Sequence, residues 1–91
     1  MKTQSEIMHE AGFFSAGEVV SIIGAKDVSA VHRMVKRGVL IAEKTAGSHW
    51  YISAASLLTA NAGSPTILER IRKTAGELGV PLTQKEPRNV D

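Results

Sequence analysis

The hydrophobic and polar positions of this chain follow a helical period in four segments. These helical segments are 16–23, 28–37, 54–60 and 65–78. Between the second and third segments, two runs rich in β-branched and aromatic residues, 39–44 and 49–52, flank the turn-like residues 45–48. Those runs predict a β-hairpin. The order of elements therefore predicts a mainly α fold with a small β-hairpin, which belongs to the α+β class.

The first of these helices has clearly marked ends. Ser15 and Glu18 have the spacing of a capping box, in which the hydroxyl serves an amide of the first turn and the glutamate reaches back to the N-cap amide. Phe14 and Val19 are spaced for a hydrophobic staple, and Gly24 is suited to end the helix. A short connection then leads to the second helix, as in a helix-turn-helix unit. An ordinary pair of antiparallel helices is the alternative interpretation.

The second helix combines an apolar face with a cationic one. Asp27 is a suitable N-cap, and Gly38 is suited to the position just beyond the helix end. Val28, Val31 and Val35 are spaced to share one face. The side chains that point elsewhere are mainly cationic: Ser29, Arg33, Lys36 and Arg37. A helix of this kind suits the DNA major groove, whereas a solvated surface helix is the alternative interpretation.

The other segment boundaries follow from capping residues and composition. Ser53 is a suitable N-cap for the third helix, and Ser64 followed by Pro65 is a typical start for the fourth. The first residues fit either one or two helical turns or a mobile tail, and the last residues are polar and interrupted by proline. We therefore expect an N-terminal extension, a main domain, a C-terminal helical segment and a disordered tail, at 1–12, 13–62, 63–80 and 81–91.

Composition narrows the classes of function. The 91 residues correspond to a single domain, and the absence of cysteine excludes disulfides, thiolate zinc sites and a cysteine nucleophile. The three histidines are scattered, so we expect no metal site. No glycine-rich phosphate loop or catalytic Ser/His/Asp set is evident, so we expect neither an enzyme nor a cofactor, and no small-molecule ligand. No apolar run approaches the ~20 residues of a membrane span.

Positive charge is concentrated around the second helix and the hairpin. Residues 24–52 contain five Lys or Arg and two Asp or Glu, which gives this segment a net charge of +3. The whole chain carries only +2. This uneven distribution predicts a surface that binds a polyanion.

The succession of capped helix, turn, basic helix, hairpin and capped helix resembles the winged helix-turn-helix DNA-binding domains of the MerR-like and phage-excisionase type. Three stretches carry the resemblance: 15–20, 31–40 and 50–58. It implies a sequence-specific double-stranded DNA-binding protein of plasmid, phage or bacterial origin, which acts in the cytoplasm as a small transcriptional repressor. An architectural excisionase-like or DNA-packaging factor is one alternative. A winged-helix module for protein–protein contact is the other.

The resemblance also implies which residues contact DNA. The basic helix is expected to enter the major groove and the hairpin to contact the backbone or the minor groove. The candidates in and before the helix are Lys26, Ser29, His32, Arg33, Lys36 and Arg37, and those in the hairpin are Lys44, Ser48 and His49. His32 lies on the flank of the apolar face, so packing or a phosphate hydrogen bond is expected there rather than base reading.

The C-terminal helix predicts a dimer seam. Four residues at helical spacing make an apolar stripe along it: Ile67, Ile71, Ala75 and Leu78. A module this small offers few base contacts, and a two-fold dimer on a palindromic site doubles them. We therefore expect a homodimer. Packing of the stripe into the core of a single chain is the alternative.

Overall fold

A computed structural model describes residues 1–45, 47 and 49–82 of the chain. Over these residues the fold is α+β, as predicted, with five helices and a three-stranded antiparallel sheet. The helices are α1 (Gln4–Glu10), α2 (Ala16–Ile23), α3 (Val28–Lys36), α4 (Ala54–Ala60) and α5 (Pro65–Leu78). The strands are β1 (Phe13–Ser15), β2 (Ala42–Lys44) and β3 (Trp50–Ser53).

The sheet joins the beginning of the chain to the hairpin. β3 is the central strand, and β1 and β2 pair with it in antiparallel register on either side. Ile52 of β3 lies opposite Phe14 on one side and opposite Ala42 on the other. The sequence predicts the hairpin but not β1, because a strand of three residues is too short to show alternation.

The first strand of the hairpin is shorter than the run 39–44 predicts. The Leu40 side chain is buried in the core, and both of its neighbours are exposed. The Ile41 amide donates a hydrogen bond to Ser56 Oγ at 3.0 Å and so has its partner in α4. These residues therefore connect α3 to the sheet, and β2 begins only after them.

The hydrophobic core lies between the sheet and helices α2 to α5. Its largest fully buried side chains are Phe14, Val19, Val31, Leu40, Ile52, Leu57 and Ile71. Burying one such side chain contributes about 1.5–3 kcal/mol, so this cluster supplies the main stabilising term of the fold. Because Ile71 belongs to α5, the C-terminal helix shares one core with α2 and α3.

Burial changes the interpretation of the apolar stripe on α5. Ile71 and Ala75 are 0% and 3% exposed within a single chain, so these side chains have no surface left for a second copy. Ile67 and Leu78 are half-buried and pack against the same core. The predicted seam is therefore corrected at Ile71 and Ala75, because α5 turns this face onto α2 and α4.

The ends of α2 and α3 lie where the sequence predicts them. Ser15 Oγ accepts from the Glu18 amide at 3.1 Å, and Glu18 Oε1 accepts from the Ser15 amide at 2.8 Å, which completes the capping box. Gly24 and Gly38 have φ angles of 71° and 80°, in the left-handed region that favours glycine at helix ends. Both turns therefore depend on a residue without a Cβ atom.

The extension 1–12 contains a helix that packs on the rest of the domain. His9 of α1 is buried, and its Nε2 atom lies 2.9 Å from Glu18 Oε1 of α2. The Ser5 hydroxyl is hydrogen-bonded to the Tyr51 hydroxyl at 3.3 Å. Of the two alternatives for this segment, the helix is the one observed.

Two predictions concern residues outside the described ranges. The predicted tail 81–91 is described only as far as Leu82, which packs against the core. Ser48, a candidate contact of the hairpin, also lies outside the described residues.

Candidate nucleic-acid interface

The third helix is fixed by one face and presents the opposite face to solvent. Val31 is fully buried, and Met34 and Val35 pack beside it on the core. The polar side is exposed at Ser29, Arg33, Lys36 and Arg37, which we call the basic face of α3. Positions three and four apart share one side of a helix, so these four residues form a continuous surface.

The charge of the basic face is not balanced within the described part of the chain. Arg33, Lys36 and Arg37 make no ion pair with any residue of the described ranges. The acid nearest to α3 in sequence, Asp27, caps the helix start, where its Oδ1 atom accepts from the Ala30 amide at 3.3 Å. Cations in the last helical turn also interact favourably with the helix dipole, so the arrangement is stable without an acidic partner.

The flank of α3 that faces the hairpin differs from the sequence-based expectation. Val28 is 38% exposed, whereas the spacing with Val31 predicts a place on the apolar face. The reason is that the buried side of α3 is centred on Val31 and extends toward Val35 at the helix end, so the first turn lies at the edge of the core.

Beside Val28, the His32 ring stacks on the Trp50 ring of β3. The ring centroids are 4.5 Å apart, and the planes are inclined by 32°. His32 is half-buried in this contact. This residue therefore packs α3 against the hairpin, which agrees with the expectation of a packing role.

A cleft of about 590 Å³ opens beside this stack. Its aromatic wall includes His32, Trp50 and Tyr51, and its polar rim includes the side chains of Ser5 and Ser15. Neither carboxylates nor Lys or Arg side chains line it among the described residues. The cleft is thus an uncharged depression between α1, the start of α2, the flank of α3 and the hairpin.

The hairpin carries its candidate residues close to this flank. Lys44 and His49 are exposed, and Lys44 lies opposite Trp50 in the register of β2 and β3. The tip is closed by Thr45, whose amide donates to the His49 carbonyl at 2.9 Å. Because Trp50 also stacks on α3, the strand pair that presents Lys44 is coupled to the basic face.

The described residues were also compared with the requirements of a metal site, a membrane-spanning helix and a buried polar site. No group of three or more His, Cys, Asp or Glu side chains gathers there in a way that could hold a metal ion. α5 is the longest described helix at 14 residues, and no helix of the described ranges has the length and apolar character that crossing a membrane requires. The buried polar side chains His9 and Ser56 have hydrogen-bond partners at Glu18 and Ile41.

No protein-family model, curated protein or solved structure matches this chain. The charge, exposure and packing of its own residues are therefore the observations that indicate a function.

The structure gathers most of the candidate residues predicted from the sequence. The basic face is one surface, and Lys26 is exposed in the turn before α3. Lys44 and His49 are exposed on the hairpin, whose Trp50 ring stacks on His32 of α3. The sequence did not predict that Trp50 links the hairpin to α3. Contact between a helix and a strand depends on tertiary packing, which the sequence pattern does not show. The only sign of this contact in the sequence was an aromatic residue, Trp50, in a strand that follows a basic helix.

Proposed function

We propose that the protein binds double-stranded DNA as a winged helix-turn-helix domain. In this proposal α2 and α3 are the helix-turn-helix pair, and the β2–β3 hairpin is the wing. The observation that carries the proposal is the basic face of α3, where three cations are exposed on one side of a helix whose other side is held by the core. The major groove, about 12 Å wide, admits one such helix.

The residues of the basic face divide between base and phosphate contacts in this proposal. Arg33 lies in the middle of the exposed side, and a guanidinium can donate two hydrogen bonds to the O6 and N7 atoms of guanine. Ser29 is one turn earlier, and its short side chain permits close approach to the bases. Lys36 and Arg37 lie at the helix end, where they are suited to phosphate oxygens.

The hairpin adds a second point of attachment. Lys44 ends β2, His49 precedes β3, and both side chains are exposed, so in this proposal they contact the backbone or the minor groove beside the major-groove contact. The His32–Trp50 stack fixes the distance between the two contact points. A fixed distance favours binding because less conformational freedom is lost when both points engage DNA.

The proposed biological role is that of a small transcriptional repressor that acts in the cytoplasm. Occupying a site within a promoter is enough to block transcription, so the contacts described above suffice for that role. An architectural factor that bends DNA would use the same surface. The two roles are distinguished by measuring the bend angle of bound DNA together with the effect of the protein on a promoter that contains its site.

The experiment that tests DNA binding is selection of bound sequences from a random duplex pool. We expect enrichment of a short motif that contains guanine, and less enrichment with the Arg33→Ala variant because its base contact is removed. If the wild-type protein enriches no sequence and binds no duplex even at about 50 mM salt, where phosphate contacts are strong, the proposal is overturned.

A further inference from the structure

A second surface of the molecule carries charges of both signs. A groove of about 370 Å³ lies between α2 and α5. Its apolar floor includes Ile22 and Leu78, and its polar lining includes Arg70, Lys73, Thr74 and Glu77 of α5. We call this space the α2–α5 groove, and Glu18 and Ser21 of α2 also line it. The Glu18 carboxylate already has partners in its own chain, because it accepts from the Ser15 amide and lies 2.9 Å from His9 Nε2. The basic face of α3 belongs to other elements, so the groove is a separate site.

The charges of the groove are ordered along α5. Arg70 and Lys73 precede the half-buried Thr74, and Glu77 follows it. The three charged side chains are exposed on the side of the helix that lines the groove. Lys73 and Glu77 make no ion pair with another residue of the described ranges. Arg70 Nη1 is 3.4 Å from the Ile22 carbonyl oxygen, so that guanidinium also serves the end of α2.

We propose that the α2–α5 groove is the site at which a second copy of this chain docks. In this arrangement the two α5 helices run antiparallel about a two-fold axis that passes beside Thr74, at the level midway between Lys73 and Glu77. Residues that precede Thr74 on one copy then lie opposite residues that follow it on the other. Each Lys73 is thereby placed near Glu77 of the second copy, and the same contact occurs twice.

Charge complementarity is the reason for choosing a second copy as the occupant. A two-fold interface requires a surface that is complementary to itself, and cations before the axis with an acid after it meet that requirement. The basic face of α3 does not, because its like charges would repel those of another copy. Thr74 is small, which lets two helices approach to the usual interaxial distance of about 8–10 Å.

The extent of the groove indicates the strength of the interaction. The 14 residues of α5 span roughly 21 Å, at 1.5 Å per residue. Two helices of that length bury an area near or below the lower end of the ~1,200–2,000 Å² found in stable complexes. We therefore expect a weak dimer that forms reversibly at micromolar concentrations and does not require DNA.

A competing surface is the uncharged patch around Val39 and Ile41. These side chains are 45% and 64% exposed beside α4. The neighbouring edge strand β2 does not favour self-pairing there, because a two-fold antiparallel pairing centred on that strand would place Glu43 opposite its own copy. The patch therefore supplies a control position, Ile41→Lys, for the experiment below.

The test is sedimentation velocity of the full chain without DNA, from about 5 to 500 µM, the range in which an interface this small should associate. We expect a concentration-dependent dimer for the wild type. Lys73→Glu and Glu77→Lys each place like charges opposite one another twice, so each variant should dimerise at least about tenfold more weakly. An equimolar mixture of the two variants should dimerise again, because every contact across the interface is then between opposite charges.

Two controls connect the result to the groove. Arg72→Glu reverses a charge on α5 outside the groove and should leave the dimer intact, as should Ile41→Lys. Circular dichroism melts should show that all variants remain folded. The proposal is overturned if the wild type stays monomeric at the highest concentration, if the mixture fails to dimerise, or if Ile41→Lys alone abolishes the dimer. Because no DNA is present, these outcomes leave the proposed DNA-binding function to be judged separately.

Discussion

Helices α3 and α5 are both amphipathic, and both use a buried aliphatic side chain to hold one face on the core. They differ in what they expose. From Val28 to Arg37, α3 and its C-cap carry three cations and no acid. α5 carries three cations between two acids, so its surface has charges of both signs.

This difference separates two kinds of recognition. A surface of one sign is suited to a uniformly charged polymer such as DNA, whose phosphates repeat along each strand. A surface with cations before one point and an acid after it is suited to a partner with the opposite order of charges, which a second copy supplies when the helices run antiparallel. The two helices carry the same number of cations, and the two acids of α5 make the difference between the partners that we propose for them.

The largest expected effect on the free energy of unfolding comes from placing a charge in the buried face of α5. Ile71→Glu should unfold the domain, because Ile71 is fully buried and the loss of packing alone costs about 2–5 kcal/mol before the desolvation of the carboxylate is added. Urea denaturation followed by circular dichroism measures this, with Ile71→Val as the matched control. If the Ile71→Glu protein is instead folded and monomeric, Ile71 belongs to a dimer interface and not to the core of a single chain.

The next effect concerns base recognition by α3. Arg33→Ala should lose about 1–3 kcal/mol on the preferred duplex and should discriminate less between that duplex and random DNA. Fluorescence anisotropy with both duplexes measures the two affinities. Arg72→Ala, which removes an exposed arginine from α5, is the matched control and should change neither. Equal and small losses on both duplexes for Arg33→Ala would show that this arginine does not read bases.

A smaller effect is expected where α3 meets the hairpin. Trp50→Ala should weaken DNA binding and lower the free energy of unfolding, because an aromatic pair contributes about 0.5–1.5 kcal/mol beyond its buried area. Trp50→Phe keeps a ring opposite His32 and should restore most of the affinity. If Trp50→Ala destabilises the domain but binds DNA with unchanged affinity once folded, the stack supports the fold and not the interface.

The smallest effect is expected for the exposed charges of α5 outside the groove. Glu69 and Arg72 form an ion pair of 3.8 Å between highly exposed side chains. Such pairs contribute only about 0–1 kcal/mol, so Glu69→Ala should change the melting temperature little and leave the dimer intact. A large loss of stability would mean that this pair takes part in a contact that its exposure does not reveal.

Local chemistry made much of the fold predictable. Ser15, Glu18, Asp27 and Gly38 mark the ends of α2 and α3 through hydrogen bonds and backbone angles that depend only on neighbouring residues. The basic face of α3 was likewise predicted from the spacing of residues close together in the sequence. Spacing alone could not decide whether the Ile71 stripe faces its own core or a partner, because both environments are apolar.

Non-local contacts were the features that the sequence did not predict. β1 becomes a strand because Phe14 pairs with Ile52, thirty-eight residues later. The position of Trp50 on His32 likewise depends on how the hairpin packs on α3. In both cases the local pattern permits several partners, and the tertiary packing selects one of them.

The most direct test of the central claim compares the salt dependence of DNA binding for the wild type, Lys36→Ala and Arg72→Ala on a single short duplex. The logarithm of the affinity should fall linearly with the logarithm of the salt concentration, with a slope that changes by roughly 0.9 for each phosphate contact removed. Lys36→Ala on α3 is predicted to make the slope less steep by about that amount, whereas Arg72→Ala on α5 should leave it unchanged. Identical slopes for the wild type and Lys36→Ala, or an effect of Arg72→Ala equal to that of Lys36→Ala, would contradict the assignment of DNA binding to the basic face of α3.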